Sequence, residues 1–463
     1  MRHEPAKMIK IASFLLVILI LLSCFLCSGC ASLPKASEII DDASDTGQIQ
    51  IASTKYILTP SQSAAIMKRL QNEAGATDIL TRQIAVIEEI NGSILKSGNK
   101  VSLLVNTHET ISAMMAAIDN ARDHINIETF IFADDDEGKR LSDLLLQKQA
   151  SGVVVNVIYD SIGSQSTPRE FFVRLREGGI RVVEFNPINP LKPGNIVRRD
   201  HRKVLIVDGT VVFTGGVNMS GVHFSKPSDD ERGNILWRET DIRLEGPAVS
   251  DYQTLFINTW KSQNGPDLPP ANYHPKLTKH GNDLVMVTAS SPGSDNRLVF
   301  ISYMSAIIFA NKSAHITNAY FAPDDQMIDA LKNAATRGVD VKIILPKITD
   351  SSWAKYAGQY HYSELLHTGV QLYERRNMML HAKTAIIDNV WATVGSSNMD
   401  TWSFAMNDEV NAIVLGTEFA SKMESLFLND LKESDRIELK EWNERPLLQR
   451  IKEFLGHLFQ RWL

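Results

Sequence analysis

One eight-residue pattern occurs twice in this chain and limits what it can fold into more than any other feature. His201-Arg-Lys203-Val-Leu-Ile-Val-Asp208 is matched by His381-Ala-Lys383-Thr-Ala-Ile-Ile-Asp388. Each copy is followed by a glycine turn and an asparagine, Gly215-Gly216-Val-Asn218 and Gly395-Ser396-Ser-Asn398. Each asparagine stands seventeen residues after its histidine. Matched spacing marks two duplicated halves, each carrying one histidine–lysine set. Two ordinary buried strands with incidental histidines would not also carry a lysine twice, because an unpaired buried ammonium is costly.

These residue types point to phosphoryl chemistry. A phosphodiester is anionic, so attack at phosphorus needs its charge offset first. Two lysines supply positive charge and two asparagines supply amide donors where oxyanion charge develops. Imidazole acts as nucleophile, acid or base near neutral pH. Lys203 to Val207 is apolar and β-branched enough for a buried strand. Residues i and i+2 of a strand share a face, so His201 with Lys203, and His381 with Lys383, are expected to point together. The glycines are expected to let backbone approach the phosphate closely.

The order of elements also repeats. Strand-like Val101 to Val105, helical Thr110 to Ala121, strand His124 to Phe132, helix Gly138 to Gln149 and strand Val153 to Tyr159 open the first half. Helical Leu298 to Ala310, strand His315 to Phe321, helix Asp325 to Thr336 and strand Val339 to Leu345 follow in the second. A strand at Gly178 to Phe185 parallels one at Thr368 to Glu374, each before its histidine motif. Alternating helix and strand predicts α/β sheets with helices on both faces. The turn-rich stretch Ser262 to Pro270 reads as the linker between halves.

With 463 residues the chain is long enough for two substantial cores. A net charge of −6 gives no support to a general nucleic-acid binder. Cys24, Cys27 and Cys30 all close one apolar N-terminal run, so the body has no disulfide, thiol nucleophile or cysteine metal site. That run, Ile11 to Leu26, follows Arg2, Lys7 and Lys10 and reads as a signal peptide or a membrane anchor. A buried core helix is the weaker alternative. Ser32 to about Gly98 is polar and mixed, with helices expected at Ser61 to Gln71 and around Ile79 to Ile90; a spacer or a lid fits it.

The paired HxKxxxxD motifs resemble those of the phospholipase D superfamily, and within it the chain is most similar to bacterial cardiolipin synthases. Arg198 to Lys203, Phe213 to Asn218, Trp237 to Asp241, Glu245 to Val249, Tyr320 to Pro323 and Arg337 to Val341 carry the likeness. Arg199 stands where that subfamily often has asparagine. Ser28-Gly29-Cys30-Ala31 resembles a lipobox, which would make Cys30 a lipidation site, with Cys27 in place of the usual leucine.

The resemblance implies two phospholipase D-like α/β domains in pseudo-twofold arrangement, with mixed sheets flanked by helices, after an N-terminal membrane segment. The divisions follow as 1–30 (signal or anchor), 31–96 (spacer), 97–265 (first domain), 266–282 (linker), 283–435 (second domain) and 436–463 (amphipathic C-terminal helix). It also implies one shared site. His201 and His381 would carry the reaction through a phosphohistidine. Lys203, Lys383, Asn218 and Asn398 would hold the phosphate oxygens, with Ser220 and Ser396 as weaker candidates for the same pocket.

Glu409 stands where the superfamily often has a carboxylate that orients histidine. Glu239 is its counterpart, since each lies seven residues before a glycine, Gly246 and Gly416. Asp208 and Asp388 close the motifs and are counted with the catalytic set, although a structural role at the strand end is the stronger expectation. The remaining histidines, His124 and His315 among them, lack a repeated partner pattern and read as surface or packing residues. No metal-ligand spacing appears, so neither metal nor other cofactor is implied.

Leu447, Leu448, Ile451, Phe454, Leu455, Leu458, Phe459 and Trp462 fall on one helical face. That pattern suits a helix on an anionic bilayer, and equally one docked on the protein's own core. The expected partners are phospholipid substrates and a membrane surface, not nucleic acid. The expected location is the cell envelope, with the body tethered outside the cytoplasm. The resemblance implies phosphatidyl transfer to make cardiolipin, with hydrolysis of phospholipid as the near alternative and a nuclease as the distant one.

Overall fold

Lys203–Val207 and Lys383–Ile387 are apolar between their lysines and aspartates, and both become wholly buried central strands. The structure, a computed structural model, describes residues 33–44, 49–54, 56–75, 77–91, 94–189, 191, 194–221, 236–292 and 297–460. The N-terminal apolar run and the lipidation candidate Cys30 lie outside the described residues. Among the described residues no helix is long and apolar enough to cross a membrane.

Around each central strand the neighbours follow one order. In the first half it runs Arg181–Phe185, Val154–Asp160, His124–Thr129, Lys203–Val207, Val211–Gly215, Thr240–Glu245 and Leu95–Val105. In the second it runs Gln371–Leu380, Asp340–Ile348, Ser313–Asn318, Lys383–Ile387, Trp391–Gly395, Asn407–Leu415 and Asp283–Ser290. The first three strands of each set are parallel and the rest antiparallel. Leu95–Val105 then pairs antiparallel with Asp283–Ser290, so both halves join one large mixed sheet.

Helices cover the sheet, several begun by side-chain caps. Asp135 accepts from the Gly138 amide at the start of Asp136–Ala150, and Asp324 accepts from Met327 at the start of Asp325–Thr336. Val204, Ile206, Ile242 and Leu244 of one side pack with Val285, Ile386, Ala392, Val410 and Val414 of the other in a single apolar core. The seam between halves is therefore dry, which fixes their relative placement by burial rather than by surface contacts.

Two expectations need correction. The 31–96 segment is not a free spacer: Ala36, Ile40, Met67, Leu70, Ile84 and Ile87 are buried in the core of the second half, beside Leu298, Phe300 and Ile316. Apolar residues at most inward positions are spaced among polar ones, with Ser63, Thr77 and Gln83 buried beside them. The strands also begin at the lysines, so His201 and His381 sit in the approach to the strand and not within it.

Asp208 and Asp388 sit at the far end of their strands from the histidines, in left-handed conformation (φ 52° and 53°). Asp208 accepts from the amides of Arg122, Asp123 and His124 at 2.8–3.1 Å. Asp388 accepts likewise from Asn311, Lys312 and Ser313, and from the Thr77 hydroxyl. A five-residue strand of about 16 Å separates them from the histidines. Their place in the catalytic set is thus corrected: they nail the neighbouring strand's first amides in place. Asp208→Ala should lower unfolding stability by about 2–3 kcal/mol through three orphaned amides, checked by denaturant melts.

Candidate functional site

The approach to each motif crosses to the opposite half. Arg199–Asp200 pairs parallel with Asn407–Asp408, and the next residue on each strand is His201 and Glu409. Met379 and Leu380 pair parallel with Trp237 and Arg238, and the next residues are His381 and Glu239. The register is closed by the His201 amide on the Asp408 carbonyl and the His381 amide on the Arg238 carbonyl, both 2.9 Å.

Each ring is consequently held by a carboxylate from the other half. His201 Nδ1 lies 3.0 and 3.2 Å from the two Glu409 oxygens. His381 Nδ1 lies 2.6 Å from Glu239 Oε1. An ionised carboxylate only accepts, so Nδ1 carries the hydrogen and Nε2 presents its lone pair on the opposite side of the ring. Phe130 packs edge-on against the His201 ring, and Trp237 and Tyr320 against that of His381, further limiting rotation.

Both lysines are buried, and each Nζ donates to the carbonyl of its own motif histidine at 2.6 Å. Burial and the charge of Lys383 pull Lys203 down to about 7. Burial pulls Lys383 down to about 8 against the opposing charges of Glu239 and Glu409. Burial and the Lys203 ammonium also push His201 down, and Glu409 offsets this only in part. Burial alone would raise Glu409, but the His201 ring, Lys203 and the Ser396 hydroxyl bring it below the usual carboxylate value. Groups from both motifs thus act on one another within a single electrostatic environment.

Both motif asparagines are buried. Asn218 Oδ1 accepts from the Ile131 amide at 3.2 Å, which fixes the orientation of its amide group. The Asn398 amide oxygen has no hydrogen-bond partner among the described residues. The two serines are turned elsewhere. Ser220 donates to Asp135 Oδ2 at 2.7 Å, and Ser396 donates to Glu409 while accepting from the Val410 amide. Their hydroxyls support carboxylates instead of facing a phosphate.

The motif glycines have a reason other than the one expected. A Cβ at Gly215 would stand 2.4 Å from Asp241 Oδ1, and one at Gly395 would stand 2.1 Å from Asn411 Oδ1. A Cβ at Gly216 would stand 2.2 Å from Glu239 Oε2. These glycines make room for side chains of the adjacent strand. Asp241 and Asn411 then accept from the amides of Val217 and Ser397, each next to a motif asparagine. Burial, with the charge of Glu239, lifts Asp241 to about 8, so at neutral pH it is a neutral acid matching Asn411 in shape.

Sequence reasoning missed the clamps that hold the crossed segments. Arg198 grips Asp408 with two bonds (2.7 and 2.9 Å), and Arg202 reaches Glu128, Thr259, Ser290 O and the Glu409 carbonyl. Arg199 is buried against Ser161 and Asp160. On the other side Arg238 grips Asp430 at 3.0 and 2.8 Å. The five charges in Arg198 to Lys203 were the available signal, since a run that leads into a buried strand must bring its partners with it. His124 and His315 are packing residues, bonded to Gln253 and Glu424.

Fold and site together define a two-motif phospholipase D-like enzyme. The family model described as "Cardiolipin synthase, PLD-like domain" matches residues 114–260 and 303–431. The chain is 33% identical over 378 residues to a cardiolipin synthase of Geobacillus sp. (strain WCH70), covering 81% of this chain and 74% of that protein. It is 34% identical over 371 residues to one of Listeria monocytogenes serotype 4a (strain HCC23), covering 80% and 76%. The crystal structure of phosphatidylserine synthase from Haemophilus influenzae Rd KW20 superposes with a TM-score of 0.61 at 14% identity, over 81% of this chain and 98% of that one, a likeness of fold. The chain belongs to the cardiolipin synthase family of phospholipase D-like transferases.

Replacing either carboxylate tests the crossed pairs. Glu409→Gln and Glu239→Gln should each lower kcat by ~10²–10⁴, since an amide behind an imidazole allows the wrong tautomer. NMR of labelled histidine should place the Glu409→Gln change at His201 and not at His381. The lysines predict a pH effect: protonated below about 7, they lose charge as pH rises toward about 8. KM for an anionic phosphodiester should therefore increase between these values, as steady-state kinetics across that range will measure.

Proposed function

We propose that this enzyme transfers a phosphatidyl group from one phospholipid to the headgroup hydroxyl of phosphatidylglycerol, making cardiolipin. The observation that carries this reading is the pair of crossed histidine–carboxylate couples with two buried lysines in one electrostatic environment. The match to cardiolipin synthases along four-fifths of the chain supports the choice of substrate class. The matching strand order of the halves supports a pseudo-twofold relation between them, and the apolar N-terminal run supports an envelope location with the body tethered outside the cytoplasm.

In the first step Nε2 of one histidine attacks phosphorus. The bond from phosphorus to the leaving headgroup oxygen breaks, and the other histidine, protonated, gives that oxygen its proton. In the second step the now neutral histidine takes the proton of the acceptor hydroxyl. The acceptor oxygen displaces the first histidine from phosphorus, which restores both rings. Lys203, Lys383, Asn218 and Asn398 hold the non-bridging oxygens as negative charge gathers on them. His201, kept neutral by burial and Lys203, fits the attacking role. Water in place of the acceptor would give phosphatidic acid by the same steps.

Purified enzyme given labelled phosphatidylglycerol should yield cardiolipin and free glycerol in equal amounts. Phosphatidic acid as the main product would replace the reading with hydrolysis, and cleavage of DNA alone would reject lipid altogether. His201→Ala and His381→Ala should each reduce turnover by at least ~10³-fold. Substantial activity in either would refute the shared site.

A further inference from the structure

The C-terminal helix Leu447–Leu458 is mounted with its apolar side outward. Leu447 and Leu448 are 72% and 65% exposed, and Ile451, Phe454, Leu455 and Leu458 are exposed with them, while Glu453 is 1% exposed. The inward side is polar and small. Glu453 takes two bonds from Arg445, and Gly456 lets the helix approach Ser352–Tyr360 so closely that a Cβ would stand 2.7 Å from the Ala357 nitrogen. Trp353 and Tyr360 of that second helix are exposed too, and Trp353 meets Phe459 edge-on. A helix that turns its leucines to water and buries its glutamate has been selected for an apolar environment outside the protein.

Three connections place this face beside the chain's start and the candidate site. Gln460, just beyond the helix, donates to the Pro323 carbonyl at 3.1 Å. Three residues on, Gln326 accepts from the Ala36 amide at 2.9 Å and donates to the Pro34 carbonyl at 3.0 Å. Pro34 and Ala36, near the beginning of the described residues, are therefore held by the same segment that receives the end of the C-terminal helix. The same segment follows Tyr320, whose ring is 6.0 Å from that of His381. The Tyr320 hydroxyl donates at 2.6 Å to Asp350, immediately before the Trp353 helix.

We propose that the outer face of Leu447–Leu458, with Trp353 and Tyr360, lies in the interfacial layer of an anionic phospholipid bilayer and, with the N-terminal tether, holds the mouth of the site against the lipid. Exposed Arg450 and Lys452 on the helix suit acidic headgroups, whereas Glu441 and Glu444 belong to the short preceding helix Leu439–Asn443 and its C-cap. The link to catalysis rests on the function proposed above; the docking itself does not.

The test uses the full chain in vesicles of phosphatidylglycerol and phosphatidylethanolamine with brominated acyl chains, which quench nearby indole fluorescence. The Trp353 component is defined by subtracting Trp353→Phe. It should be quenched by at least half, and Leu448→Glu/Phe454→Glu/Leu458→Glu should abolish that quenching at unchanged melting temperature. The same variant should lose about tenfold turnover on vesicles but none on monomeric short-chain phosphatidylglycerol. Unquenched Trp353 in the wild type, or quenching that survives the triple variant, overturns the proposal. So does a wild-type dimer that the variant converts to monomer while Trp353 stays unquenched, since the face would then join two copies. Quenching without activity on any lipid keeps the docking and sinks the proposed function.

Discussion

The exchange of carboxylates across the seam is the constraint on which the rest depends. Neither motif histidine takes its carboxylate from its own half: Glu409 serves His201 and Glu239 serves His381. Each couple is the next step of a short parallel strand pair between the halves, so backbone register and ring orientation are set by one event. A shift of one residue in either pair would turn the histidine away from its glutamate. The apolar core common to both halves and the Arg198–Asp408 and Arg238–Asp430 clamps protect that register.

Around these couples the charges are arranged for an anion. Burial lowers both lysines, and the charge of Lys383 lowers Lys203 further, so an anion bound near them would favour their charged forms. Burial lifts Asp241 to about 8 and Asp400 to about 7, so both carry less negative charge at neutral pH than ordinary carboxylates. In the proposed reaction these desolvated cations would hold the phosphate, while burial favours the neutral form of His201.

The duplicated motif carries two kinds of residue. Histidine and lysine of the two motifs act on one another at the seam, but the aspartates and glycines serve the fold: Asp208 and Asp388 gather backbone amides, and Gly215 and Gly395 clear space for Asp241 and Asn411. The halves also differ where duplication left freedom. Ser396 bonds Glu409, but its counterpart Gly216 has no room for a side chain beside Glu239. Arg202 anchors one approach strand among Glu128, Asp408 and Ser290, and Ala382 holds that place in the other.

Much of this was legible in the sequence because repetition is local information. Matched HxKxxxxD spacing located both strands, both lysines and both asparagines; Glu409 was implied by the family resemblance, and the seven-residue step to Gly246 and Gly416 then gave Glu239 as its counterpart. Helix and strand order followed from periodicity, with Asp325–Thr336 placed to the residue. What the sequence could not express was partnership across the seam. Glu409 lies 28 residues from His381 and 208 from His201, yet it bonds the distant ring, because strand pairing between halves is decided by burial of a common core and not by separation along the chain. For the same reason the C-terminal helix was amphipathic on paper, but only packing against Ser352–Tyr360 decided that its leucines face outward. Chemistry was written in residue identity and spacing; which residues meet, and which face is left bare, was settled by the tertiary fold.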